Sequence, residues 1–342
     1  MSEYTKSDGS EKALQDQLRR LTPAKLEKNS INAALRTFFY RRGVDITPRA
    51  EILRGQLSRL EDCGSYVNFH DYFRKNRLNL VSANFCRNHT LCPFCSIRRA
   101  NKNAKKLYRK AQKLMNERPD LKGYFITFTV KNKPVLDDAL RKLRTKGWEG
   151  LKTKMKNAKR AKSTQNPEKS KFASALNSQF ANVVAGAYSI ETTWSKKMDW
   201  HPHMHGLFFS ETPITQGKLR EEWKEYTSDS FIVDVQEIEV TKKDVSEIMK
   251  YSLQFSKMPA KKIIEAYLSL KGRRLTSSCG DFYGMDLDPD PADVELEGEP
   301  FIETLMNFYN DSYHKLSCRV VDKRRTDSVI PNLNMVPYNP AN

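Results

Sequence analysis

The run His201-Pro202-His203-Met204-His205 places a histidine at every second position. In a strand, alternate side chains share one face, so this spacing points the imidazoles the same way, about 6.6 Å apart at each step. Pro202 is tolerated best at a strand start or edge, which puts His201 just outside the regular strand and leaves His203 and His205 as the better ligand pair. One histidine beside a strand is usually structural. Here three of the chain's six histidines fall within five residues, and imidazoles on one face are a metal-binding pattern.

The neighbouring sequence supplies a third ligand. Val184–Ser195 reads as a strand, His203–Phe209 as the next, with Lys197, Met198 and Asp199 in the polar stretch between them. A turn centred on Met198 sets Glu191 across from His205 and completes a two-histidine, one-carboxylate site with open positions for phosphate oxygen. A one-residue slip in the pairing would turn Glu191 to the other face, where it would be an ordinary surface glutamate. Gly123–Lys131 (GYFITFTVK) reads as another strand, with Ile126, Phe128 and Val130 on one side and Phe125, Thr127 and Thr129 on the other. Phe231–Val240 reads as a fourth. Helical spacing marks Ala100 to Leu114, Gly217–Ser228 and Lys242–Ser256. Strands mixed with helices in this order give an α+β fold, a central antiparallel sheet with flanking helices.

In the last of those helices Glu247 and Tyr251 are four apart, about 40° from each other on one face. A phenol, with an intrinsic pKa of about 10, is a poor nucleophile near neutrality. It becomes useful when a metal polarises the phosphate it attacks, and Glu247 one turn away can act as a general base. On spacing alone, the pair does not separate a catalytic tyrosine from one that packs.

Charge identifies the partner. Lys and Arg total 59 against 41 Asp and Glu, a formal net charge of +18. Ile97 to Lys122 holds ten basic and two acidic residues, and Arg141 to Lys171 twelve and two. Such stretches suit a phosphate backbone, whose contacts give affinity without reading sequence. No apolar run reaches the length of a membrane span, and MSEYTKSDGSEK lacks the apolar stretch of a signal peptide, so a soluble cytoplasmic protein without a membrane partner is expected.

Four of the six cysteines cluster, with Cys86, Cys92 and Cys95 in a C-x5-C-P-F-C run and Cys63 upstream. A C-x-x-C pair holds one edge of a tetrahedral zinc site, and His89 competes with Cys63 as the fourth ligand. A redox C-P-x-C is the rival reading, though no β-α-β pattern surrounds it. Cys279 and Cys318 read as ordinary thiols. The chain divides into a helical, partly disordered region over residues 1–60, with Pro23 and Pro48 as breaks, and an irregular zinc-binding segment over 61–98. A catalytic and DNA-binding domain follows over 99–284, with a basic helical insertion at 137–182 whose middle is polar and mobile. An acidic linker and C-terminal tail over 285–342 complete it.

Four segments together resemble the rolling-circle replication initiators of small bacterial plasmids, members of the HUH endonuclease superfamily. FITFT (125–129) resembles the family's first motif, HPHMHGLFF (201–209) its metal-binding motif, and EIMKY (247–251) its tyrosine motif. LKGRRLTSSCGDFYG (270–284) resembles a downstream segment with Arg-Leu, small residues and glycine. The resemblance covers roughly Cys63 to Gly284. It implies that Tyr251 forms a 5′-phosphotyrosine link and releases a 3′-OH that primes replication, and that Glu247 activates water in the closing step. It also implies that His203 and His205, with Glu191 and His201, hold Mg2+ or Mn2+. Its early Cys-Gly favours Cys63, with Cys86, Cys92 and Cys95, as a structural zinc set. Arg98 and Arg99 after the last cysteine, Lys250, and Arg273 and Arg274 are the expected DNA contacts. The partners implied are double- and single-stranded origin DNA and a host helicase, in a bacterial cytoplasm. One position departs: members often carry a lysine three residues after the tyrosine, and here it is Gln254. Two rivals stand beside this reading. One is a transposase or relaxase of the same superfamily, although in relaxases the tyrosine normally precedes the histidines. The other is a non-enzymatic, zinc-stabilised DNA-binding regulator.

Overall fold

The structure is a computed structural model, and it describes residues 8–41, 47–249, 255 and 258–322. The chain opens with α1 (Asp8–Phe39). Its residues 14, 18, 21, 25, 28, 32, 35 and 39, spaced alternately four and three apart, are all buried. That seam is apolar at both ends (Leu14, Leu18, Leu21, then Leu35, Phe39) and polar in the middle (Lys25, Lys28, Asn32). Pro23 does not break the helix as the sequence reading expected; it lies inside α1. The packed seam on both sides of it outweighs a local cost of about 3 kcal/mol. Pro48, the other expected break, does begin an element: it opens α2 (Pro48–Arg54), capped by the Thr47 side chain. After α3 (Leu57–Asp62), residues read from sequence as irregular form two strands, β1 (Tyr66–Tyr72) and β2 (Arg77–Ala83). Val67, Phe69 and Asp71 alternate inward in β1; the polar Asp71, which accepts a hydrogen bond from Ser10 Oγ, disguised the period.

The next elements are α4 (Pro93–Glu117), β3 (Lys122–Thr129), α5 (Leu136–Arg141), a π-helical turn over Lys142–Trp148 and α6 (Glu149–Lys162). Then come β4 (Val183–Ser195), β5 (Asp199–Ser210), α7 (Gln216–Thr227), β6 (Val233–Ile238) and α8 (Lys242–Ile248). A capping box between Thr241 and Asp244 starts α8. The chain continues through α9 (Ala260–Leu270), β7 (Thr276–Gly280), the short α10 (Pro291–Val294), β8 (Phe301–Tyr309) and β9 (Ser312–Val321).

These elements sort into two compact units, one joining the chain up to Ser96 with the chain from Asp288 onward, the other running from Ile97 to Leu287. The first contains an antiparallel sheet of order β2-β1-β8-β9. The stretch read as an acidic linker and tail therefore supplies two of its four strands. They meet at Asn310-Asp311, both at positive φ (47° and 59°), the two-residue hairpin geometry that Asn and Asp tolerate. None of the helices among the described residues is long and apolar enough to cross a membrane.

The second unit is built on an antiparallel sheet of order β6-β3-β5-β4-β7, so the histidine strand is central. On the histidine face, Ala104, Leu107, Ala111 and Leu114 of α4 and Val245 and Ile248 of α8 pack with Ala185, Ala187, Leu207 and Phe209. The opposite face carries an aromatic cluster in which Trp148 lies 4.7 Å from Tyr188 and Trp223 4.7 Å from Phe128. The start of the expected insertion at 137–182 is core: Leu140, Leu143 and Leu151 are wholly buried. Gly280, at φ +58°, closes β7 against β4 where a Cβ would lie 1.9 Å from Val184 O.

Candidate metal centres and nucleic-acid surface

Strand pairing assembles the first site. β4 and β5 pair with Ser195 opposite Asp199, Glu191 opposite His203 and Ser189 opposite His205. The turn thus centres on Lys197 rather than Met198, and Glu191 faces His203 instead of His205. Moving a turn's centre by one residue moves the pairing by two, so the carboxylate stays on the histidine face. Glu191 Oε2 lies 3.1 Å from His203 Nε2 and 3.3 Å from His205 Nε2. Hydrogen bonds to His203 and His205 hold the Glu191 carboxyl down at about 2, so it is ionised near neutrality.

The expected start of the strand also shifts. β5 begins at Asp199 and includes His201 and Pro202. Pro202 fits because β3 pairs with β5 only from His203 onward, so the strand has a free edge where the proline lacks its N–H. His201 stands apart from the ligand group: its Nδ1 pairs with Asn132 Oδ1, and its ring lies 5.4 Å from that of His203.

The donor set suits a hard divalent ion. In an octahedron with metal–ligand distances of about 2.1 Å, adjacent ligand atoms lie about 3.0 Å apart. The two nitrogen–oxygen distances are near that value, and the three side chains are only 15–21% exposed. Two imidazoles and one carboxylate leave the remaining positions open. Thr127 Oγ1, on β3 directly across from His205, lies 3.0 Å from His205 Nδ1. With an ion bound, Thr127 Oγ1 accepting from Nδ1–H would leave the His205 Nε2 lone pair for the ion. Strand alternation places Thr127 on one face, but its partnership with His205 depends on the β3–β5 register, which no local sequence signal marks.

The tyrosine motif is reached through α8. Ser189 Oγ donates to the carbonyl of Ile248, the last residue of that helix, and Ser189 is the register partner of His205. The end of α8 is therefore tied beside the histidine pair. Glu247 is exposed on this last turn. Tyr251, Lys250 and Gln254 lie outside the described residues, as does most of the expected helix beyond Met249.

The second site is a thiol cluster. Cys63, Cys86, Cys92 and Cys95 are all buried and their sulfurs lie within 4.8 Å of one another. Cys63 Sγ is 3.5 Å from both Cys92 Sγ and Cys95 Sγ, and Cys86 Sγ is 3.6 Å from Cys95 Sγ. Tetrahedral zinc thiolates, with Zn–S of about 2.3 Å, have sulfur–sulfur edges of about 3.8 Å. His89 is not the fourth ligand; its Nδ1 lies 3.1 Å from the Cys95 carbonyl. The polar middle of the α1 seam meets this cluster. Lys25 Nζ donates to Cys63 O at 2.7 Å, and Lys28 Nζ to Glu61 O at 2.7 Å. Burial, with Lys28 beside it, pulls the Lys25 ammonium down to about 7. Buried cations require compensating charge, and four thiolates around a divalent ion carry two net negative charges. The residues present thus fit a tetrahedral metal ion. Of the other two thiols, Cys279 is buried, which pushes it up to about 12, and Cys318 is half-buried.

Among the expected DNA contacts, Arg98 and Arg99 are exposed on α4, and Arg274 is exposed just before β7. Arg273 is engaged by Asp137, 3.0 Å away.

The profile of the replication protein family matches residues 77–304. A protein rep from Streptococcus pneumoniae serotype 2 is 27% identical over 188 residues, which cover 52% of this chain and 50% of that protein. A protein rep from Staphylococcus aureus is 26% identical over 217 residues, 60% of this chain and 84% of that protein. The chain thus spans about half the length of the first relative and most of the second. No solved structure matches it.

Two outcomes follow. Thr127→Val should weaken Mn2+ binding about 10–100-fold in a calorimetric titration while the fold stays intact by circular dichroism; unchanged affinity would show that Thr127 does not orient His205. Purified Cys92→Ser should lose a metal ion that the wild-type chain retains, by elemental analysis, and melt at lower temperature; undiminished metal content would remove Cys92 from the ligand set.

Proposed function

The chain belongs to the replication protein family, the plasmid replication initiators of the HUH superfamily, and from that premise we propose that it starts rolling-circle replication by nicking one strand of its origin DNA. The observation that carries the reading is the convergence of Glu191, His203 and His205 beside the end of α8. Tyr251 follows Ile248 by three residues, a reach of at most about 10 Å.

In this mechanism the phenol oxygen of Tyr251 attacks the phosphorus of the scissile phosphodiester. The new bond is a 5′-phosphotyrosine; the bond broken is that to the 3′ oxygen, which takes up a proton and leaves as a 3′-OH that can prime synthesis. A bound Mg2+ or Mn2+ supplies Lewis-acid polarisation of the phosphate. Glu191, His203 and His205 hold the ion, with His201 flanking them. Glu247 acts as general base toward water in the closing step, so one tyrosine serves a full round. That water hydrolyses the regenerated origin and frees a second 3′-OH, which attacks the phosphotyrosine, expels the Tyr251 phenol and rejoins the strand, so the bond energy kept in the phosphotyrosine serves this last exchange.

The four-cysteine cluster is the structural zinc site in this reading, fixing a segment that sits near basic residues. Arg98, Arg99, Lys250, Arg273 and Arg274 contribute phosphate contacts, which carry affinity rather than sequence readout. The partners are origin DNA and a host helicase, and the compartment is the bacterial cytoplasm. Family membership and motif order favour this over a relaxase, and the two-histidine, one-carboxylate site favours it over a purely structural DNA-binding protein.

With Mg2+ or Mn2+ and supercoiled DNA carrying its origin, the protein should leave a nicked circle and a covalent protein–DNA adduct on a denaturing gel. Tyr251→Phe should form neither. Persistence of the adduct in that variant would assign the nucleophile elsewhere.

A further inference from the structure

Within the second unit a cleft of about 710 Å3 lies between α6 and the edge strand β7, at the far end of β4 from Glu191. Val184 lines it, seven residues and about 23 Å along β4 from the carboxylate. Helix α6 turns Leu151, Ala158 and Ala161 inward and presents Lys152, Lys156, Lys159 and Lys162 to the cleft. The 152, 156, 159 spacing forms a single stripe, and β7 faces it with Arg274 at its approach. Six basic and two acidic residues line the space.

Charge bookkeeping separates this cleft from an ordinary solvated surface. Glu211 is already met by Arg118 at 3.2 Å and Lys162 at 3.6 Å, and Lys152 has Glu149 at 3.3 Å. Lys156, Lys159 and Arg274 have no acidic partner among the described residues. Against the one remaining carboxylate, Asp281, these three cations leave the concavity net positive, which favours entry of an anion. Tyr283 stands at the same cleft with 76% of its surface exposed. Water gains nothing from so exposed a ring, whereas an unpaired base can stack on it. The volume falls in the range of about 300–1,000 Å3 typical of small-ligand sites, enough for one or two nucleotides.

We infer that this cleft is a single-strand DNA holding site, in which Lys156, Lys159 and Arg274 bind consecutive phosphates and Tyr283 stacks on a base. It rests on the reading that the chain acts on DNA, but it is separate from the metal centre and does no chemistry. Its role is to retain an unpaired strand away from the point of cutting. Duplex DNA keeps its bases stacked on each other and offers Tyr283 no face, so the site selects melted over paired DNA.

The test uses the full chain without added Mg2+ or Mn2+, which leaves the thiol cluster's metal in place, and a fluorescent oligo-dT of twenty nucleotides followed by anisotropy across a salt series. Lys156→Ala/Lys159→Ala/Arg274→Ala should weaken binding at least about tenfold and make the slope of log affinity against log salt shallower by about 2. Tyr283→Ala should weaken it about tenfold with the slope unchanged. Circular dichroism and melting temperature establish that each variant is folded. Folded variants with wild-type affinity and slope would overturn the assignment. So would a triple variant that loses duplex and oligo-dT binding equally, which would make the cleft a general duplex surface, or displacement of the oligonucleotide by free dTMP at similar affinity, which would make it a mononucleotide site. Since nothing is cut without added Mg2+ or Mn2+, the holding site can fail while Tyr251 nicks, and Tyr251 can fail while the strand is held.

Discussion

Glu191 opposite His203 is the pairing on which the functional site depends. It brings one carboxylate within reach of two imidazoles on a rigid, central pair of strands. Sites on strands hold their geometry better than sites on loops, and the aromatic layer behind the sheet anchors both strands. Each ligand is therefore positioned by backbone pairing, with little side-chain ordering left to do. Thr127 from the next strand adds the proton-side support for His205. Among the described residues α4 and α8 cover the histidine face over Ala185, Ala187, Leu207 and Phe209, while Glu191, His203 and His205 keep 15–21% exposure.

The same face carries the tie between the sheet and α8. Ser189, two residues from Glu191, ties the end of α8 to the sheet. A single strand, β4, thus sets the metal ligand, fixes the helix that leads to Tyr251, and lines the basic cleft at its other end. The thiol cluster follows a different logic. Its thiols come from the end of α3, the loop before α4 and the first turn of α4, and two lysines from the middle of a helical seam donate to carbonyls beside it. With an ion bound, such a site would draw stability from the metal as well as from apolar packing.

What was legible in the sequence was period and parity. The histidine alternation gave the face, the strand runs gave an antiparallel α+β sheet, and the face chosen for Glu191 survived an error in the turn because that error preserved parity. Register itself was not legible: nothing local distinguished a turn on Met198 from one on Lys197. Pro202 misled because whether a strand position is an edge depends on where β3 stops, a tertiary fact. Pro23 misled in the same way, since its cost is met by a buried seam that includes Leu14 and Leu35 far along the helix. The strands from Phe301 to Val321 were hidden behind an acidic stretch, although Asn310-Asp311 carried a hairpin signal. The stretch 137–182 read as a basic insertion, yet Leu140, Leu143, Trp148 and Leu151 at its start are buried against the sheet. Tyr251 rests on the motif and on the placement of Ile248.

The central claim is that Glu191, His203 and His205 hold the ion. Pulsed electron paramagnetic resonance of the Mn2+-loaded full chain tests it directly, since Mn2+ prefers nitrogen and oxygen ligands to the thiol cluster. The account predicts modulation from two histidine nitrogens, reduced to one in His203→Ala and in His205→Ala. A bound Mn2+ signal without nitrogen modulation, or one that neither substitution changes, would contradict it.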